Sequence, residues 1–75
     1  MTTQEVANLL NNAVQRELFR ADPVRWACEA GPVDGLELFQ VLTSMPNFKM
    51  TMKDMEAVEK LLAFMARNKV SVFEP

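Results

Sequence analysis

The chain has 75 residues, of which 49% are hydrophobic and 24% are charged, and its formal net charge is −2. This composition is typical of a single small globular domain covering 1–75, and it excludes a disordered chain. Cys28 is the only cysteine and histidine is absent, which excludes an internal disulfide and argues against a zinc site. The near-neutral charge argues against a general nucleic-acid-binding protein, because such proteins usually carry a basic surface.

The first predicted helix covers 3–20. Thr2 and Glu5 have the spacing of a capping box, in which each side chain bonds the backbone N–H of the other residue. Leu18 and Phe19 lie off the apolar stripe of this helix, so we expect them to pack where the chain turns. The stripe itself follows helical spacing and consists of Val6, Leu9, Leu10 and Ala13, with Val14 at its edge.

A second, short helix is predicted over 23–30. Asp22 suits the N-cap, and Pro23 suits the first helical position because its missing N–H would have no helical partner there. Gly31 is expected at the C′ position, where a residue often adopts a left-handed conformation. The turn that begins at Gly31 then leads to the next helix.

A third helix is predicted over 35–45. Asp34 and Glu37 repeat the capping-box spacing at its start, and Pro46 is expected to end it. The apolar arc of this helix is broad, which predicts that much of its surface is buried. The arc consists of Leu38, Phe39, Val41, Leu42 and Met45.

A fourth helix is predicted over 52–68, with Thr51 and Asp54 at its start in capping-box spacing. The apolar tail 70–73 follows it, either extended or irregular, and could lie back over the helices. The sequence therefore predicts an all-α fold, a small compact bundle of four helices with a short apolar C-terminal tail. The stripe of the fourth helix consists of Met55, Val58, Leu61, Leu62 and Met65.

The sequence carries no recognisable catalytic constellation. Histidine and tyrosine are absent, so Ser44, Ser71 and Cys28 have no histidine to activate them as nucleophiles. No phosphate-binding loop or calcium-loop pattern is present either, and we predict a non-enzyme without cofactor or metal. The N-terminal residues lack a signal peptide and no segment is long and apolar enough to span a membrane, so the expected compartment is the cytoplasm.

A methionine-rich segment is the first candidate for a binding surface. Its side chains either close one end of the core or grip a partner helix, as flexible methionines can. Phe64 lies between Lys60 and Arg67, so it either anchors a partner or packs against the first helix. Phe19 either contacts a partner or packs where the chain turns. The candidate partner-binding residues are Met45, Phe48, Met50, Met52, Met55, Phe64 and Phe19.

These observations predict a non-catalytic protein–protein interaction module. We expect a small adaptor, inhibitor or regulator, of the kind that phages encode, that occupies the surface of another protein; a homodimer is also possible, and a membrane partner is not expected. One alternative is a nucleic-acid-binding transcriptional regulator that uses Arg16, Arg20 and Arg25, although Glu37 occupies a position where a helix-turn-helix needs an apolar residue. A second alternative is a self-assembling structural component.

Overall fold

The computed structural model describes residues 1–45 and 48–75. It confirms a mostly helical fold, but those ranges contain five helices rather than the predicted four, together with one short antiparallel strand pair. Within them, every helix is too short or too polar to cross a lipid bilayer. The elements are α1 (Thr3–Leu9), α2 (Ala13–Ala21), α3 (Pro23–Ala30), β1 (Val33–Asp34), α4 (Gly35–Ser44), α5 (Met52–Asn68) and β2 (Val72–Phe73).

The prediction of one continuous helix over 3–20 is wrong, because the chain breaks between Leu9 and Ala13. Asn12 is the cause: its side-chain oxygen accepts hydrogen bonds from the N–H groups of Val14 at 2.9 Å and Gln15 at 3.2 Å. An asparagine in this position caps a new helix instead of continuing the old one. The break changes the direction of the chain, so residues after it no longer follow the stripe of α1.

The other helix boundaries agree closely with the sequence. The predicted limits of α3 and α5 are confirmed, and α4 ends at Ser44, one residue earlier than expected. Two of the three expected capping boxes are formed, at Thr2 and at Thr51. At the start of α4 only half of the third is formed: Asp34 accepts a hydrogen bond from the N–H of Glu37 at 2.9 Å, without the reciprocal bond. Asp22 accepts a hydrogen bond from the N–H of Arg25 at 3.2 Å. Pro46, which was expected to end the third helix, lies outside the described residues, as does residue 47 of the predicted loop.

The C-terminal tail is extended and lies back over the helices. Strand β2 pairs with β1 so that Phe73 stands opposite Val33, and the side chain of Phe73 is buried. Gly31 was expected at the C′ position after α3, and it is instead the C-cap residue, with an extended backbone and a φ of −71°. Its small size matters for another reason: a β-carbon there would overlap the carbonyl oxygen of Phe73. Gly35 is restricted in the same way by the side chains of Met65 and Phe73.

The core lies where all five helices meet. Helix α1 packs on α4, and α2 packs on both α3 and α5. The expectation that Met55 lies on the buried stripe of α5 is wrong, because Met55 is 40% exposed and its neighbour Asp54 points inward instead. The buried hydrophobic residues are Val6, Ala7, Leu10, Phe19, Trp26, Ala27, Val33, Leu38, Leu42, Phe48, Ala57, Val58, Leu61 and Phe73.

We predict that Asn12→Ala lowers the free energy of unfolding by about 1 kcal/mol, because α2 loses the side chain that satisfies its first N–H groups. Urea unfolding followed by far-UV circular dichroism measures this loss. Asn11→Ala is the matched control, since the Asn11 side chain is exposed and makes no hydrogen bond within the described residues. Equal losses in the two variants would contradict the capping role of Asn12.

Candidate functional site

A buried ion pair joins α2 to α5. Arg20 donates from Nε to Oδ1 of Asp54 at 2.8 Å and from Nη2 to Oδ2 at 3.3 Å. The Asp54 side chain is fully buried, while the Arg20 side chain is 19% exposed. Two parallel hydrogen bonds of this kind fix the relative geometry of the two side chains. The pair therefore fixes which face of α2 meets α5.

The same carboxylate also caps α5. The backbone N–H of Thr51 donates to Oδ2 of Asp54 at 2.9 Å, and the Thr51 hydroxyl donates to it at 3.0 Å. Burial alone would raise the pKa of Asp54, but the hydrogen bonds from Arg20 and Thr51 outweigh it and lower the pKa to about 2, from the usual 3.8. Asp54 is thus ionised in the folded protein at every pH above this value.

The three arginines proposed for nucleic-acid binding do not form one free basic surface. Arg16 lies one turn before Arg20 on the same face of α2, and its guanidinium group stacks over the ring of Phe48 at 4.3 Å. Arg25 is exposed and pairs with Glu29 at 3.1 Å. Arg16 and Arg20 therefore both face other parts of the protein; Arg20 is ion-paired, whereas Nε of Arg16 is buried without a hydrogen-bond partner among the described residues.

The structure separates the residues of the methionine-rich segment. Met45, Phe48 and Met50 pack against the core, which agrees with the interpretation that they close one end of it. Met52 and Met55 are 81% and 40% exposed and remain candidates for contact with a partner. Residues 46 and 47 of this segment lie outside the described residues.

The two remaining aromatic candidates have partners inside the protein. Phe19 is fully buried, and its ring meets Trp26 edge-to-face at a centroid distance of 5.2 Å. Phe64 is partly buried against the core, with its ring 5.8 Å from that of Phe73 in the tail. Phe19 therefore belongs to the core, and Phe64 offers a partner only part of its ring.

The outer face of α2 is apolar, which the sequence did not predict. Val14 and Leu18 lie one turn apart and are 67% and 53% exposed. Ala13 and Ala21 extend the same exposed face, where Glu17 is the only charged residue. Helix α2 thus turns its arginines toward the protein and its aliphatic side chains toward solvent, the reverse of an ordinary surface helix.

This apolar face of α2 continues into a cleft of about 620 Å³, which is lined by residues of α2, of α3 and of the N-terminal part of the chain. The cleft contains the largest aromatic side chain of the protein, Trp26, whose indole N–H donates to Oε1 of Gln15 at 3.0 Å. Its walls combine apolar side chains with charged ones at the rim, an arrangement suited to binding apolar side chains. The lining residues are Met1, Leu9, Gln15, Leu18, Ala21, Asp22, Arg25, Trp26, Glu29 and Ala30.

The position of Leu18 off the predicted stripe was the one sequence signal for this face. It indicated a change of direction, but it did not indicate which side of the new helix would be buried. That choice depends on Asp54, which is 34 residues from Arg20 in the chain.

No known family model, no curated protein and no solved structure matches this chain.

We predict that stability falls as the pH is lowered from about 4 to about 2. The pKa of Asp54 is depressed in the folded state, so its contribution is present above 3.8 and is lost as the pH falls through about 2. This contribution is about 2 kcal/mol, and the midpoint of urea unfolding across this pH range measures it.

Asp54→Asn should remove most of that pH dependence and lower the free energy of unfolding at pH 7 by about 2 to 3 kcal/mol. Glu29→Gln is the control, since it makes the same chemical change in an exposed ion pair and should cost about 0.5 kcal/mol or less. A pH profile that is the same in Asp54→Asn and in the unchanged protein would contradict the assignment.

Proposed function

We propose that this chain is a non-catalytic protein-binding module that acts by occupying the surface of another protein through the outer face of α2 and the adjoining cleft. The apolar outer face of α2 is the observation that carries the proposal. Val14 and Leu18 together with Ala13 and Ala21 form an apolar face that only Glu17 interrupts.

The exposed aliphatic side chains favour binding because burying them in a partner is energetically favourable. Removing apolar surface from water contributes about 25 cal/mol per Å². Protein interfaces commonly have an apolar centre and a charged rim. The cleft combines the same kinds of side chain, since Trp26 lines it together with the exposed Asp22, Arg25 and Glu29. Contiguous apolar patches on small proteins are often interaction sites.

The exposed methionines of α5 provide a second candidate surface. Met52 and Met55 lie at the start of that helix and are not among the residues that line the cleft. Two exposed side chains make a smaller surface than the face of α2 with its cleft, so we place the main contact on α2. The experiment below separates the two surfaces.

We predict that Leu18→Glu abolishes capture of the partner, because a carboxylate at the centre of the apolar face cannot be buried without large desolvation cost. The chain is immobilised and exposed to a lysate of the organism that encodes it, and retained proteins are compared between variants. Leu36→Glu is the matched control, because Leu36 is 52% exposed, against 53% for Leu18, and lies on α4 away from the cleft.

Met52→Glu tests the alternative surface in the same assay. Capture that survives Leu36→Glu and Met52→Glu but fails with Leu18→Glu supports the proposal. Capture that survives Leu18→Glu, or that fails only with Met52→Glu, would contradict the assignment to α2. Circular dichroism of each variant confirms that a lost contact does not reflect unfolding.

A further inference from the structure

We infer that the partner segment is an amphipathic helix whose apolar stripe is flanked by lysine or arginine. This inference rests on the proposed function and adds the chemistry of the occupant. It follows from three features of the same surface: the length of the apolar face, the lack of free backbone groups in the cleft walls, and the charges at the rim.

The dimensions and backbone chemistry of the site fit a helix. From Val14 to Ala21 the face covers two helical turns, or about 10 Å, which matches the i, i+3, i+4, i+7 stripe of a helical ligand. Most of the lining residues belong to α2 and α3, whose interior backbone groups are hydrogen-bonded within their own helices, and Met1 and Leu9 complete the lining. An extended peptide relies on free main-chain groups, which the interiors of these two helices do not offer.

The charges around the site favour a basic partner. Glu17 is 72% exposed, and its cation, Arg20, is shared with the buried Asp54. Asp22 is exposed and forms no ion pair among the described residues. Arg25, the basic side chain of the rim, is already paired with Glu29. Glu17 shares Arg20 with a second carboxylate, and Asp22 accepts only the backbone N–H of Arg25 within the described part of the chain, so both leave negative charge at the surface that can attract and orient cationic flanks.

The second positive group near the cleft is the amino group of Met1, which lines it. This group forms no ion pair among the described residues, and its charge is the smallest cause that lowers the pKa of Glu5, after the hydrogen bonds from Thr2. Three carboxylates, those of Glu17, Asp22 and Glu29, stand against two cations, Arg25 and this amino group, so one negative charge around the site is not compensated. A flanking Lys or Arg on the partner would compensate it.

Two other occupants fit this surface less well. A second copy of the chain would pack the same face against itself, which brings Glu17 and Asp22 of one copy near those of the other. A membrane-binding helix usually has Lys and Arg beside its apolar face to meet anionic lipids, and here Glu17 and Asp22 take those places.

The test uses two synthetic helical peptides of about 15 residues that share one leucine stripe and differ only in their flanks, lysine in one and glutamate in the other. Each peptide carries a dansyl group and no tryptophan. Energy transfer from Trp26, the only tryptophan of the chain, then reports binding. We expect the lysine peptide to bind at least about tenfold more tightly, and this advantage to shrink at about 0.5 M salt.

Matched variants assign the two parts of the interaction. Glu17→Gln with Asp22→Asn should remove the preference for lysine while apolar binding remains, and asparagine at position 22 keeps the cap of α3. Glu56→Gln with Glu59→Gln changes the net charge equally on α5 and should leave the preference intact. Leu18→Glu should weaken both peptides by at least about tenfold, and Leu36→Glu should weaken neither.

Several outcomes would overturn the inference. Equal affinity for the two peptides would contradict the basic flanks, and no binding of either would contradict a helical occupant. Both of those results leave the proposed function to the capture experiment, where loss with Leu18→Glu alone would still support it. A mass that doubles with concentration and returns to the monomer in Leu18→Glu would assign the face to a second copy. Sedimentation with phosphatidylcholine vesicles would assign it to lipid.

Discussion

The hydrogen-bonded pair of Arg20 and Asp54 determines how α2 sits on the rest of the protein. The guanidinium group of Arg20 donates two hydrogen bonds to the fully buried carboxylate of Asp54. The same carboxylate accepts a hydrogen bond from the backbone N–H of Thr51 and so caps α5. Leaving either charge buried without the other would be costly, so the pair restricts α2 to one rotation about its axis. Arg16, one turn away, then lies over Phe48 and reinforces that rotation.

The exposed apolar face of α2 is a consequence of this rotation. When the arginine face of α2 turns inward, the opposite face must meet solvent, and that face carries Val14 and Leu18. A helix with this composition would ordinarily bury its aliphatic residues and expose its arginines. The protein thus uses an ion pair for internal packing and leaves apolar side chains outside, where another protein can bury them. The packing of α2 and the surface that we propose for binding are therefore linked through one helix.

Much of the fold could be predicted because it is encoded locally. The caps at Thr2, Asp22 and Thr51 are side-chain-to-backbone contacts over three residues, and each is formed. The break at Asn12 also has a local cause, but the apolar spacing before it favoured a continuous helix. The candidate site could not be predicted, because the burial of Arg20 depends on a residue 34 positions away. Without that contact, Arg16 and Arg20 resemble a free basic cluster, and Leu18 resembles a core residue.

A double-mutant cycle on Arg20 and Asp54 tests most directly whether this pair holds α2 in place. The free energies of unfolding of Arg20→Met, Asp54→Asn and the double variant are compared with that of the unchanged protein. If the pair acts as a unit, the two losses overlap and the coupling energy is about 2 kcal/mol. Losses that add to within about 0.5 kcal/mol would show that the side chains act independently. That result would contradict the account of how α2 is oriented.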